Sequence, residues 1–163
     1  MIVLAIDSGL EKTGYAFFNS NNSFSIKEKF LSSGLIKTEK NLPLEKRLFK
    51  IFNAISALVD KNKPSIVILE RLFFFKNQKT AIAVSQAQGV VILLAAQKKI
   101  EVGFLTPLQI KQTVTGYGLS NKKAIIKMLH LLLNINKKIK EDDEYDAIAC
   151  GLAYCSINKL LTQ

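Results

Sequence analysis

Ile2-Val3-Leu4-Ala5-Ile6-Asp7-Ser8-Gly9 and Ser65-Ile66-Val67-Ile68-Leu69-Glu70 are the two stretches that decide how this chain folds. Each contains an unbroken apolar run of strand length, rich in β-branched residues. Such a run marks a strand buried on both faces, the situation of central strands in a layered α/β sheet. Each run stops on a carboxylate, Asp7 or Glu70. If the strands are parallel neighbours, both carboxylates emerge at one sheet edge, where α/β proteins place their ligands. Singly, each has an ordinary explanation: Asp7 as an Asx-turn residue before Gly9, Glu70 as a solvated strand end.

Between these runs, residues 13–18 read as a second strand, the cluster Asn19-Ser20-Asn21-Asn22-Ser23 as a turn, and residues 24–37 as a third extended stretch broken by Ser32-Ser33-Gly34. Together with the first strand they make an antiparallel meander. Leu44, Leu48, Ile51, Phe52, Ile55, Leu58 and Val59 recur at helical spacing, so residues 42–59 form an amphipathic helix, and Pro64 punctuates the chain before the second apolar run. An aromatic and basic stretch over 71–79 precedes a helix over 80–98. Its second half is apolar on nearly all sides and must be buried or dimerise. A strand over 102–105 leads to Thr106-Pro107, an N-cap followed by proline at the first helical position, and a short helix to residue 114. Residues 116–121 are loop, 122–133 helix, 134–140 a basic loop, and 142–161 the final helix. With no repeats and no dividing linker, residues 1–163 are expected to form one domain.

The chain carries 23 Lys and Arg against 13 Asp and Glu, a formal net charge of +10. A polyanion, nucleic acid first, is the partner this charge favours; a lysine-rich solvated surface is the plain alternative. Cys150 and Cys155, five apart on one helix, point to different faces and cannot pair. One histidine and no Cys-x-x-Cys exclude a zinc pattern. The longest apolar run, residues 90–96, is too short to span a bilayer, and the N-terminus opens on a strand rather than a signal. A cytoplasmic protein without a membrane partner is expected.

The third acidic element is Glu141-Asp142-Asp143-Glu144-Tyr145-Asp146, followed by Ala147-Ile148-Ala149-Cys150-Gly151. Asp146 shares a helix face with Asp143, three before it, and with Asp142, four before it; periodicity does not choose between them. The small residues let this helix lie close against the sheet, so two carboxylates can hang over the edge that carries Asp7 and Glu70. Complementing the helix dipole is their simpler role. Hard cations such as Mg²⁺ take oxygen ligands, and in a two-metal arrangement the ions activate water and stabilise the leaving oxygen at phosphorus. An acid cluster on a basic protein therefore favours phosphodiester hydrolysis over what either feature supports alone.

These residues resemble the RuvC Holliday junction resolvases over nearly the whole chain. The resemblance rests on Ile6-Asp7-x-Gly9 with Thr13-Gly14-Tyr15, Glu70 followed by Phe73 and Lys76-Asn77, and Gln86-Ala87-x-Gly89. It continues through Lys111-Gln112-Thr113-Val114 with Gly116-x-Gly118 and ends at Asp143-x-x-Asp146-Ala147. It implies an RNase H-like α/β fold, a central mixed five-stranded sheet flanked by helices. It implies that Asp7, Glu70, Asp143 and Asp146 are catalytic and metal-binding, choosing Asp143 over Asp142. The implied cofactor is Mg²⁺, one or two ions per subunit, with Mn²⁺ able to substitute. Lys111 and Lys122 match basic positions that act on DNA, with Lys123 the fallback if the loop register differs by one, and Phe73 beside Lys76 matches a base-contacting aromatic. Ser8 departs from the usual proline, and Tyr154 from a common histidine. His130, set among leucines, reads as structural.

The implied activity is resolution of four-way DNA junctions by paired symmetric nicks. A homodimer is expected, with residues 90–96 a candidate for part of its contact; branch-migration motors are implied as partners by the family alone. The competing readings are another RNase H-like nuclease, acting on structured RNA or other branched DNA, and a non-catalytic junction-binding protein.

Overall fold

The two apolar runs become adjacent parallel strands in the middle of one sheet. In the computed structural model, which describes residues 1–21, 25–72 and 78–161, they are β1 (Ile2–Asp7) and β4 (Ile66–Glu70), paired from Val3↔Ile66 to Ile6↔Leu69. β2 (Lys12–Asn19) pairs antiparallel with β1, and β3 (Phe30–Lys37) antiparallel with β2. β5 (Glu101–Leu105) lies parallel to β4, giving the order β3-β2-β1-β4-β5. This is the expected mixed five-stranded sheet.

Strand alternation sorts the core into two layers. Leu4, Ile6, Val67 and Leu69 join the apolar faces of α2 (Leu44–Asn62) and α3 (Gln78–Gln97) through Ile51, Ile55, Val91 and Leu94. Val3, Ala5, Ile66 and Ile68 face the other way, toward α4 (Pro107–Thr115), α5 (Lys122–Leu132) and α6 (Asp142–Leu161). Removing these strands from water on both faces explains why their sequences show no polar alternation.

Two segments differ from expectation. Part of the third extended stretch is a helical turn, α1 (Ile26–Lys29). β3 then runs through Ser32-Ser33-Gly34 without a break, because their backbones pair with Phe17, Ala16 and Tyr15; main-chain ladder bonds override the turn propensity of the side chains. α2 begins after Pro43, which serves as its N-cap, and reaches Asn62. Ahead of α4 the Thr106 side chain accepts from the Gln109 N–H, and the Gln109 side chain accepts from the Thr106 N–H, completing a capping box. α3 buries Ala87, Val91, Leu94 and Ala95 but leaves Ile82, Ile92 and Leu93 exposed. Cys150 and Cys155 are buried free thiols. Among the described residues, no helix is long and apolar enough to cross a membrane.

α6 crosses β2 and β1 at close range. A Cβ at Gly14 would run into the main-chain carbonyl of Asp143, and one at Gly151 into the Phe18 ring and Ala5. Gly14→Ala is therefore expected to lower stability by about 1–3 kcal/mol, since backbone cannot yield as a side chain does. Chemical denaturation measures this, and an unchanged midpoint contradicts so tight a seating.

Candidate active site

The two-residue repeat decides where the strand-end carboxylates point. Asp7 follows Val3 and Ala5, and Glu70 follows Ile66 and Ile68, so alternation directs both toward the layer that contains α6. Asp7 pairs in register with Gly14, over which the Asp143 carbonyl sits. The missing side chain at Gly14 thus lets the first turn of α6 bring its carboxylates to the edge of the sheet.

Two glutamates anchor that end of α6. Glu141 accepts hydrogen bonds from Lys12 and Lys37, each at 2.6 Å, and the two lysines face each other in the β2–β3 register. Placed between like charges, Glu141 offsets their repulsion, and its carboxyl is held down at about 2 by these bonds. Glu144, only 7% exposed, accepts from the Ser33 hydroxyl at 2.6 Å and forms an ion pair with Lys137. Asp143 and Asp146 therefore project from a turn fixed on both sides.

The carboxylates are electrostatically crowded. Burial, then the charges of Asp146, Glu70 and Asp143, push the Asp7 carboxyl up to about 8, against a smaller lowering by Lys122. Burial and Asp146 raise Glu70, while Lys111 and Lys122 lower it. Burial also raises Asp146, opposed by a 2.8 Å hydrogen bond from Lys122 Nζ. Asp142 reaches the same ammonium at 3.3 Å, but its side chain is 66% exposed, whereas Asp143 lines the cleft beside Asp7.

Two clefts meet at Glu70. One, of about 730 Å³, is lined by Asp7, Glu70, Asp143, Lys12 and Arg47 among others. The other, of about 330 Å³, is lined by Glu70, Asp146, Lys111 and Lys122. Lys122 and Lys111 thus stand beside the carboxylates, while Lys123 lines neither cleft. Phe73 and Lys76 fall outside the described residues. His130 Nε2 lies 2.9 Å from the Tyr145 hydroxyl, a bond between α5 and α6 that fits its structural reading.

Two residues in the larger cleft escaped the reading of the sequence. Gln88 Nε2 donates to the Glu70 carbonyl at 2.9 Å and fixes the strand end from α3. It is the variable position of Gln86-Ala87-x-Gly89, so no motif flagged it. Arg47 belongs to the polar edge of a helix whose apolar periodicity said nothing about its basic residues. Ser8, visible in the sequence as a departure from proline, lines the same cleft; its hydroxyl is buried without a hydrogen-bond partner among the described residues.

Among the described residues, no three acidic, histidine or cysteine side chains are close enough together to hold an ion as they stand. The donor set nevertheless suits a hard divalent cation: it is all carboxylate oxygen, partly buried, with Asp7 carrying a charge penalty that a cation would relieve. Lys122, bonded to Asp146, supplies part of that positive charge here.

A family model, Crossover junction endodeoxyribonuclease RuvC, matches residues 3–154. The chain belongs to this family. The RuvC of Brachyspira hyodysenteriae is 41% identical over 160 residues, covering 98% of this chain and 97% of that protein. The RuvC of Pseudothermotoga lettingae is 38% identical over 161 residues, again covering 98% and 97%. Among solved structures, Thermus thermophilus RuvC in complex with a Holliday junction superposes with TM-score 0.89 at 24% identity, covering 99% of this chain and 97% of that one. The yeast mitochondrial Holliday junction resolvase gives TM-score 0.66 at 18% identity, covering 98% and 82%. The fold is that of RuvC, an RNase H-like sheet with flanking helices. Membership in the RuvC family makes the chain a crossover junction endodeoxyribonuclease, a hydrolase.

Proposed function

We propose that this RuvC-family chain, as one nuclease domain over residues 1–163, resolves four-way DNA junctions by paired symmetric nicks at Asp7, Glu70, Asp143 and Asp146. The observation that carries the assignment is the convergence of two parallel strand ends beneath the anchored first turn of α6. The four carboxylates would hold Mg²⁺, which when bound supplies an activated water and stabilises the leaving oxygen. Lys111 and Lys122 stand beside the carboxylates and attract the phosphate that those carboxylates repel. Gln88, Glu141 and Glu144 keep the acid groups in place before substrate arrives, so little reorganisation remains for the reaction itself. The cytoplasm is the place of action that this reading proposes.

Four-way junction, linear duplex and RNA duplex, incubated side by side with Mg²⁺, test the reading. Cleavage confined to the junction supports it. Preferential RNA cutting favours another RNase H-like activity, and binding without cutting favours a non-catalytic role. Lys111→Ala is expected to slow junction cleavage about tenfold while leaving the melting temperature nearly unchanged, since a surface lysine contributes little to folding. Equal losses of rate and stability would contradict a role on DNA.

Paired nicks need two active sites, and the two-fold symmetry of a junction matches a two-fold dimer. The exposed Ile82, Ile92 and Leu93 of α3 support a self-contact there. Sedimentation is expected to show a dimer. Monomer mass across a wide concentration range removes this part of the proposal.

A further inference from the structure

We propose that Arg47 binds a non-scissile phosphate of the cut strand, on the side of the carboxylates away from Lys111 and Lys122. The inference rests on the junction-cleaving reading above and adds a phosphate subsite to it. Among the described residues, Arg47 and Lys12 are the two cations lining the larger cleft. The Lys12 ammonium is committed to Glu141 at 2.6 Å. Arg47, among the described residues, has no carboxylate partner; its Nε donates to Thr38 Oγ1 at 2.9 Å. Thr38 is 6% exposed, and its hydroxyl in turn donates to the Leu10 carbonyl at 2.6 Å. Its N–H donates to the Glu11 carbonyl at 3.0 Å.

The guanidinium is thus held by one edge on a buried hydroxyl, with its remaining N–H donors uncommitted among the described residues. A planar fork presented this way matches the paired oxygens of a phosphodiester better than a lysine would, and it arrives already oriented. The placement also answers an electrostatic need. Glu70 and Asp143 line the same cleft and repel a DNA strand entering it, while Lys111 and Lys122 line the smaller cleft. With Glu70 shared by both clefts, a strand crossing the carboxylates meets lysines on one side and Arg47 on the other. The Arg47–Thr38–Leu10 chain further ties the bound phosphate to the loop that follows Asp7.

The test measures junction and linear-duplex affinity over a salt series without divalent ions, using the wild type, Arg47→Gln, Arg47→Lys and Thr38→Val. Neutralising one phosphate contributes a slope of about 0.9 in log K against log salt. Arg47→Gln is expected to lose about that much slope on the junction, and Arg47→Lys to keep it while cutting several-fold more slowly once Mg²⁺ is added. Thr38→Val is expected to keep the slope and weaken binding a few-fold, which distinguishes lost anchoring from lost charge should Arg47→Gln fold poorly. A junction carrying a methylphosphonate at the linkage beside the scissile one should bind the wild type more weakly and Arg47→Gln no more weakly than the unmodified junction does. An unchanged slope in Arg47→Gln, or equal methylphosphonate losses at every linkage in both proteins, overturns the proposal. Wild type that binds junction no better than duplex, with the Arg47 slope effect present on both, overturns the junction reading and keeps the phosphate contact.

Discussion

Asp7→Asn is expected to cut a four-way junction about 10³-fold or more slowly than the wild type in saturating Mg²⁺, while still binding the junction as well or better. Asp7 sits at the electrostatic centre of the site: Asp146, Glu70 and Asp143 all act on it, and it is partly buried at the end of β1. Asparagine keeps its shape and removes its charge, so the hydrolytic step loses a ligand oxygen while the DNA meets less repulsion. Groups that act as a unit fail as a unit, which is why one substitution suffices. Single-turnover cleavage and equilibrium binding on the same junction measure the two effects separately. A variant that retains cutting within tenfold places the chemistry elsewhere.

Without divalent ions, the same substitution is expected to stabilise the protein at pH 8 and to have much less effect at pH 4. An acid whose pKa rises on folding, here from 3.8 to about 8, keeps its proton in the native state after the unfolded chain has released it. Native stability therefore falls as pH climbs through that window, and the fall stops once the folded group has ionised. Holding a proton tenfold more tightly in the folded state is worth about 1.4 kcal/mol, so Asp7→Asn gains a few kcal/mol at pH 8. For a chain of this size that is roughly 5–10 °C in melting temperature. Mg²⁺ at pH 8 reverses the order, because it stabilises the wild type by mass action and has less to bind in the variant. Melting curves at both pH values, with and without Mg²⁺, check it. A variant less stable than the wild type in the metal-free protein at pH 8 contradicts the crowding of Asp7.

The sheet was legible because its middle strands have no solvent face. Apolar runs ending in Asp7 and Glu70 announced two buried central strands and, on the condition that they pair in parallel, a shared edge, a condition that the β1–β4 register meets; the small residues after Asp146 announced a helix lying close. The choice between Asp142 and Asp143 was not legible, because it depends on how α6 is seated, and that is set by Gly14 on a different element. Periodicity within a helix contains no such information; the family pattern supplied it. The continuity of β3 through Ser32-Ser33-Gly34 was hidden for a related reason, since turn propensity is local and strand pairing is not. Arg47 was hidden most fully: a basic residue on a polar helix edge looks solvated until a cleft forms beside it. The aromatic and basic stretch holding Phe73 and Lys76 lies partly outside the described residues, and its DNA contacts rest on the resemblance.

Nick mapping on a mobile four-way junction tests the central claim most directly. With Mg²⁺, the wild type is expected to leave two nicks at symmetric positions in strands of like polarity, with ends that a ligase can seal, and Asp146→Asn to leave none. Unpaired nicks at unrelated positions, or an Asp146→Asn pattern identical to the wild type, would contradict resolution by this carboxylate site.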